Sequence, residues 1–384
     1  MTKPPIRYLI ASPLGDIPID ESRLDYPLEG DPLKTPYRAY FSSITDFLTK
    51  QDFLPLLEAV NESRRTDSDL SALNEIIVRA EKHGALYHPA SIECVTADSK
   101  VTFGLNVAVT ESGKHALRKE SAVLKALHSR FPSRYLPVPY HLDESHAMVF
   151  LLEEWFEDFH EFHASVTEDG RQLLKLWEYG QGNRLLNPEQ GFEIYRQAAQ
   201  ILTLYYDLNT FHVIYPWHHA AGDFVVKTGE ASNPLLEEGD SRGFSEKIDV
   251  RLTTARGYEP FMGLDEDEVI SPVSGLFYFL LHLSIQMRLD RLDGVGDIAW
   301  ADDFCVDATV SGFFEGLDKK KDLSACCGSQ QSLRKLLKSF TKEDLRKSAA
   351  PIAEQFDQTK DYRTIQEHLR DHIDKLHLTL QNSP

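Results

Sequence analysis

Between Ala90 and Trp155 the sequence changes texture five times in a fixed order, and that order constrains the fold more than any other feature. "ASIECVTA", "KVTFGLNVAVT" and "KHALRK" are rich in β-branched residues and separated by "DS" and "ESG" turn chemistry, so they read as three strands. "ESAVLKALHSRF" places Val123, Leu124, Leu127 and Phe131 on one side of a helix. "LPVPYHL" and "AMVFLLEEW" read as two further strands, with "DES" as their turn. The sequence therefore predicts three strands, a helix and two strands.

The flanks differ. Residues 1 to about 35 are rich in Pro, Asp and Gly and read as an extended arm. Two helices are expected between Tyr40 and His83, the second with Leu70, Leu73, Ile76, Ile77 and Ala80 on one face and Gly84 as its stop. After Phe156 the pattern is mostly helical. "GFEIYRQAAQILTLYYDL" carries Ile194, Ala198, Ile201, Leu202 and Tyr205 on one stripe. Further helices are expected at 274–291, 303–316, 331–339, 342–356 and 361–380. "DFVVK" and "EKIDVRL" read as two short strands joined by an acidic loop, Thr228 to Ser245. The predicted organisation is an N-terminal arm and helical extension (1–84), a small β-rich lobe (85–155) and a larger, mainly helical lobe (156–384). The fold class is α+β.

Charge bounds the partners. With 41 Lys+Arg against 60 Asp+Glu the net charge is -19. A polyanion needs a basic stripe, and Lys319 to Lys321 is flanked by Asp318 and Asp322. Neither nucleic acid nor an anionic membrane surface is an expected partner. Four Cys in 384 residues form no disulfide framework, and Cys326-Cys327 lacks the CxxC spacing of zinc or redox sites. Reduced thiols and a cytoplasmic location are expected. "MTKPPIRYLIASPLGD" is a poor signal peptide. The apolar run "GLFYFLLHLSI" is too short to span a bilayer.

The stretch "YPWHHAAGDFVVK", Tyr215 to Lys227, combines a Trp, two adjacent His and a Gly-Asp pair, and it follows a long helix and precedes a short strand. Together with the strand–helix order, it resembles the small-molecule branch of the protein kinase-like fold, such as aminoglycoside phosphotransferases and choline kinases. The resemblance covers roughly residues 85 to 300. It implies a two-lobed fold, with a small antiparallel β lobe carrying one helix and a larger helical lobe. It also implies magnesium and ATP as cofactors, and phosphoryl transfer to a small-molecule acceptor.

Residue by residue, Glu120 falls where the family's helix Glu is expected. Thr110 stands in place of the strand Lys, so Lys114, Arg118 or Lys119 would supply the cation if "KHALRK" is the third strand. Glu153 to Phe156, including Trp155, match the linker that faces adenine. Asp223 takes the position of the metal-binding Asn, and Asp249 that of the second metal-binding Asp, with Arg251 where the family has Gly. His218 takes the catalytic Asp position. The glycine-rich loop is missing from "TADSKVTFG".

The chemistry is consistent with that placement. Phosphoryl transfer needs magnesium held by oxygens, a cation near the phosphates and a residue positioning the nucleophile. Two carboxylates suffice for a magnesium that keeps its waters, and His218 or His219 could act as general base. Two rival readings stand beside it. A catalytically degenerate, pseudokinase-like relative would bind a nucleotide or partner without turnover. A metallohydrolase would use His218, His219 and Asp223 as zinc or iron ligands, with His83, His88, His160 and His163 available from afar. Asp290 and Asp293 in "RLDRLDG" read as a salt-bridge cluster at a helix end, capped by Gly294.

Overall fold

The computed structural model describes residues 3–12, 15–65, 69–82, 84, 86–97, 99–132, 135–178, 182–229, 247–261 and 271–383. His83, most of the acidic loop after Thr228 and the acidic stretch "LDEDEV", residues 264–269, which reads in sequence as a solvated loop, lie outside them. The chain is a mixed α+β protein that divides into two compact units. One comprises Met1–Glu157 with Tyr179–Gly182, the other Asp158–Glu178 with Asn183–Pro384.

In the first unit, β1 (Ile6–Ile10), β2 (Ile17–Pro18), α1 (Tyr37–Arg64), β3 (Glu75–Ala80), β4 (Ala90–Val95), β5 (Lys100–Ala108), α2 (Glu111–Arg130), β6 (Pro139–Ser145) and β7 (Met148–Glu154) follow in chain order. Their strands form one seven-stranded sheet in the order β2-β1-β3-β4-β5-β7-β6. All neighbours are antiparallel except β1 and β3, which pair in parallel with Ile6 opposite Ile76. Alternation assigns the faces. Phe103, Leu105 and Val107 of β5 are buried in one core with Phe150 and Leu152 of β7 and with Tyr40, Phe41, Ile44 and Phe47 of α1.

Three expectations fail here. "DES" is not a turn: Asp143 to Ser145 pair with Phe150, Val149 and Met148 as the end of β6, and the chain turns at His146 and Ala147 in the left-handed region. The helix expected to carry Leu70 to Ala80 is instead a single 3-10 turn, Leu70–Ala72, followed by strand β3. Its apolar residues satisfy the helical spacing, but the β-branched run Ile76, Ile77, Val78 fits a pleated strand covered on both sides. "KHALRK" is helical, not a strand. Thr110 caps α2 by accepting the Gly113 N–H at 3.1 Å. Gly113 reads as a turn signal in sequence, yet its role is close approach: a Cβ there would lie 2.5 Å from the Leu86 carbonyl oxygen. Residues 3–82 thus contribute strands and a helix to the same sheet as residues 90–154.

The second unit opens on three strands that the helical reading misses: β8 (His160–Val166), β9 (Gln172–Glu178) and β10 (Gly182–Leu185). Then come α3 (Pro188–Tyr205), β11 (His212–Ile214), β12 (Phe224–Gly229), β13 (Lys247–Leu252), β14 (Tyr258–Pro260) and α4 (Pro272–Gln286). They are followed by β15 (Leu289–Arg291), β16 (Ile298–Trp300), α5 (Phe304–Asp318), α6 (Leu323–Cys327), α7 (Gln330–Ser339), α8 (Lys342–Glu354) and α9 (Tyr362–Asn382). A five-stranded sheet runs β10-β9-β8-β12-β13. The helices cover a core in which α3 and α5 lie close. "RLDRLDG" is not a helix end but β15 and a 3-10 turn, Leu292–Gly294. Among the described residues, no helix is long and apolar enough to cross a membrane.

Candidate functional site

Within the second unit, Tyr215 to Lys227 leaves β11, makes a 3-10 turn at His219–Ala221, passes Gly222 in the left-handed region and enters β12. His218 shapes the turn: its Nδ1 accepts the Ala220 N–H at 3.0 Å. Its backbone N–H donates to Asp223 Oδ2 at 2.8 Å. The Trp217 carbonyl accepts from Gln286 Nε2 at 2.6 Å.

Asp223 is 1% exposed. Arg256 grips its carboxylate with both ends of the guanidinium, Nη1 to Oδ2 at 2.8 Å and Nη2 to Oδ1 at 2.7 Å. Three donors therefore reach Asp223. Arg256 lies in "TTARGYEP", just after β13, and the Thr253 N–H donates to the Asp223 carbonyl at 2.7 Å to hold the two segments together.

Asp249 is elsewhere. It pairs across the hairpin with Lys227, while Phe224 pairs with Leu252. Asp223 is therefore level with Thr253, four residues from Asp249, or about 13 Å along the strands at ~3.3 Å per residue. The Asp249 carboxylate accepts from Arg251 Nη2 at 2.9 Å. The structure does not bring the two carboxylates together, and as placed they do not fit a shared magnesium.

The two His separate as adjacent residues on a turn do. His219 is 1% exposed and packed by Phe162, Tyr195, Trp217 and Phe224. Burial holds its pKa down at about 4, against a smaller upward pull from Asp290, so it is neutral near pH 7. His218 is half-buried, its Nε2 3.7 Å from Asp361 Oδ2. These positions do not converge with Asp223 on one ion. Among the described residues, no group of three or more His, Cys, Asp or Glu side chains is placed to hold a metal.

Nearby, His163 and Asp290 form a buried pair. Nδ1 lies 3.3 Å from Asp290 Oδ1, and the Ala164 N–H donates to Asp290 Oδ2 at 2.7 Å. Burial pulls the His163 pKa down, but hydrogen bonds to Asp290 and Glu161 outweigh it and bring it to about 9. Asp293 pairs with Lys175.

The remaining sequence candidates lie in the first unit. Glu120, on α2, is 2% exposed and accepts from Tyr87 Oη at 2.9 Å. Lys114, also buried on α2, is committed to Glu111 at 2.7 Å. Glu153, on β7, accepts from Asn106 Nδ2 at 2.8 Å. Burial first, and then the Glu120 charge, push its pKa well above the usual carboxylate range. Trp155 is 39% exposed beside Gly104. Arg256, Asn106 and Tyr87 escape the sequence reading. Arg256 alone carries a usable signal, as the one formal charge in "LTTARGY".

No family model matches the sequence, and no curated protein matches it. A solved structure described as the kinase domain of PF14_0431 aligns with 82% of this chain and 88% of its own at 9% identity and a TM-score of 0.30, a value at which the likeness carries no argument.

Proposed function

We propose that this chain is a catalytically degenerate, kinase-like protein that works by binding a nucleotide or partner and not by phosphoryl transfer. The run β3, β4, β5, α2, β6 and β7 within the seven-stranded first unit supports the kinase-like part of the reading. The observation that carries the degenerate part is the Asp223–Arg256 fork. An Arg is permanently charged and matches a carboxylate bidentately. It supplies at Asp223 the positive charge that a divalent ion would otherwise bring. A metal would have to displace it and strand a guanidinium. Neither His218, which caps a turn, nor neutral, enclosed His219 stands beside Asp223 as a general base.

The test is ATP hydrolysis by the purified full chain, with a thermal-shift titration run with and without magnesium. The expected result is no ADP above the buffer rate and no effect of magnesium on the ATP-dependent shift. Magnesium-dependent stabilisation with ADP formation, both lost in Asp223→Asn, would restore the phosphotransferase reading.

A further inference from the structure

Three helices of the second unit, α5, α7 and α9, enclose a cavity of about 490 Å3. Val310 and Phe314 of α5 are buried and form its floor, and Leu378 of α9, 55% exposed, forms a wall. Arg334 of α7 lines the same cavity, with its guanidinium carbon 3.6 Å from the centre of the Phe314 ring. Among the described residues, Arg334 has no hydrogen bond and no ion pair. Burial lowers its pKa from the ordinary arginine value, and the opposing pull of the Asp318 charge is the smaller effect. The acids that line the cavity have cations of their own: Asp307 holds Lys375 at 2.6 Å, and Glu315 holds Arg196. A half-buried guanidinium without a carboxylate is costly, and it is unexpected in a chain with a net charge of -19.

We propose that this cavity binds a small monocarboxylate with an apolar tail. Stacking on Phe314 uses the face of the guanidinium, while its N–H donors lie in its plane and stay available at the edge. A carboxylate matches that edge with two parallel hydrogen bonds. The tail lies on Val310 and against Leu378, and takes their apolar surface out of water. A phosphate dianion fits less well, because Asp307 and Glu315 line the cavity and the Asp318 charge reaches Arg334, so a second negative charge is repelled. A metal ion fits less well again, because both lining carboxylates are engaged and Arg334 repels it. The site lies wholly within the second unit and does not rest on the nucleotide-binding proposal above.

The probe is sodium hexanoate, titrated into the full chain at neutral pH. It is compared at matched ionic strength with sodium acetate, which lacks the tail, with sodium phosphate and with NaCl. The expected result is a saturable rise in Tm, about 2–3 °C near ten times Kd, for hexanoate alone. Arg334→Gln removes the fork and should abolish the rise. Leu378→Glu sets a tethered carboxylate beside the guanidinium and should abolish it too. Leu378 is exposed, so the second variant covers the case in which Arg334→Gln does not fold. Three outcomes overturn the proposal. One is equal shifts for hexanoate and NaCl. Another is acetate or phosphate shifting Tm as hexanoate does, which would mean that Arg334 takes any anion and the apolar floor takes no part. The third is a hexanoate shift that survives both substitutions.

Discussion

Asp223 and Arg256 show how much depends on a single fork. The Asp223 side chain is 2% exposed and that of Arg256 27%. Removing one partner of a buried pair leaves an uncompensated charge, which costs more than the pair itself contributes. Among the described residues, Arg256→Met leaves the carboxylate with the His218 N–H alone, and it should lower unfolding free energy by about 3 kcal/mol. Adding Asp223→Asn should recover part of that loss, because the stranded charge disappears. Urea unfolding of the two single variants and the double variant gives the coupling. Strictly additive losses would mean that the fork is not the interaction holding the loop. The sequence marks Asp223 through its position after Gly222 and Arg256 only as a lone charge, because nothing in spacing says that a residue beyond a hairpin will fold back onto Asp223. The two His are misleading for a related reason. Their letters suggest a ligand pair, while the turn sends one into an aromatic enclosure and the other to a backbone N–H.

Packing and charge both act on whole elements. The close approach of α3 and α5 depends on Gly312, where a Cβ would lie 2.0 Å from the Arg196 carbonyl oxygen. Ala is the better helix former by ~1 kcal/mol. A backbone clash outweighs that gain, so Gly312→Ala should destabilise by roughly 1–3 kcal/mol. A rise in the urea midpoint would show that α5 can shift freely. The His163–Asp290 pair ties β8 to β15 and carries a pH signature. The folded His163 pKa is about 9, above its ordinary value of 6.5. Its contribution is fully present below pH 6.5 and is lost as pH rises through about 9. Asp290→Asn should flatten that alkaline decline in stability-versus-pH curves. His282 on α4 and His372 on α9 act in the opposite sense. Burial holds both near 3, so their contribution is complete above pH 6.5 and is lost as pH falls below it. His282→Phe should shallow the acid limb by up to one proton, about 1.4 kcal/mol per pH unit. An unchanged slope would mean that His282 is not what resists protonation there.

At the scale of the molecule, the sequence makes legible whatever is periodic and local. The helices α3, α5, α7, α8 and α9 are read correctly, as are the strands β4 to β7 apart from "KHALRK" and the "DES" turn, which is the end of β6. It hides what depends on long-range pairing. The parallel register of β1 with β3 joins Ile6 to Ile76 across most of the N-terminal region, and no local pattern announces it. The consequence is that the first 84 residues are not a detachable extension. Phe47 of α1 stacks on Phe150 of β7 at 5.2 Å, and Tyr40 Oη donates to the His88 carbonyl at 3.0 Å. Deleting residues 1–84 would remove α1 and β3 together. It would uncover Ile92, Phe103, Leu105 and Phe150, now 0–1% exposed, and leave β4 as a bare edge, the arrangement that invites aggregation. The truncated chain should therefore be recovered as aggregates, whereas removal of residues 1–4 alone, ahead of β1, should leave Tm within about 2 °C. Size-exclusion chromatography and thermal unfolding of the two truncations decide the matter. A monomeric, cooperatively unfolding 85–384 fragment would mean that the sheet from β4 to β7 carries its own core.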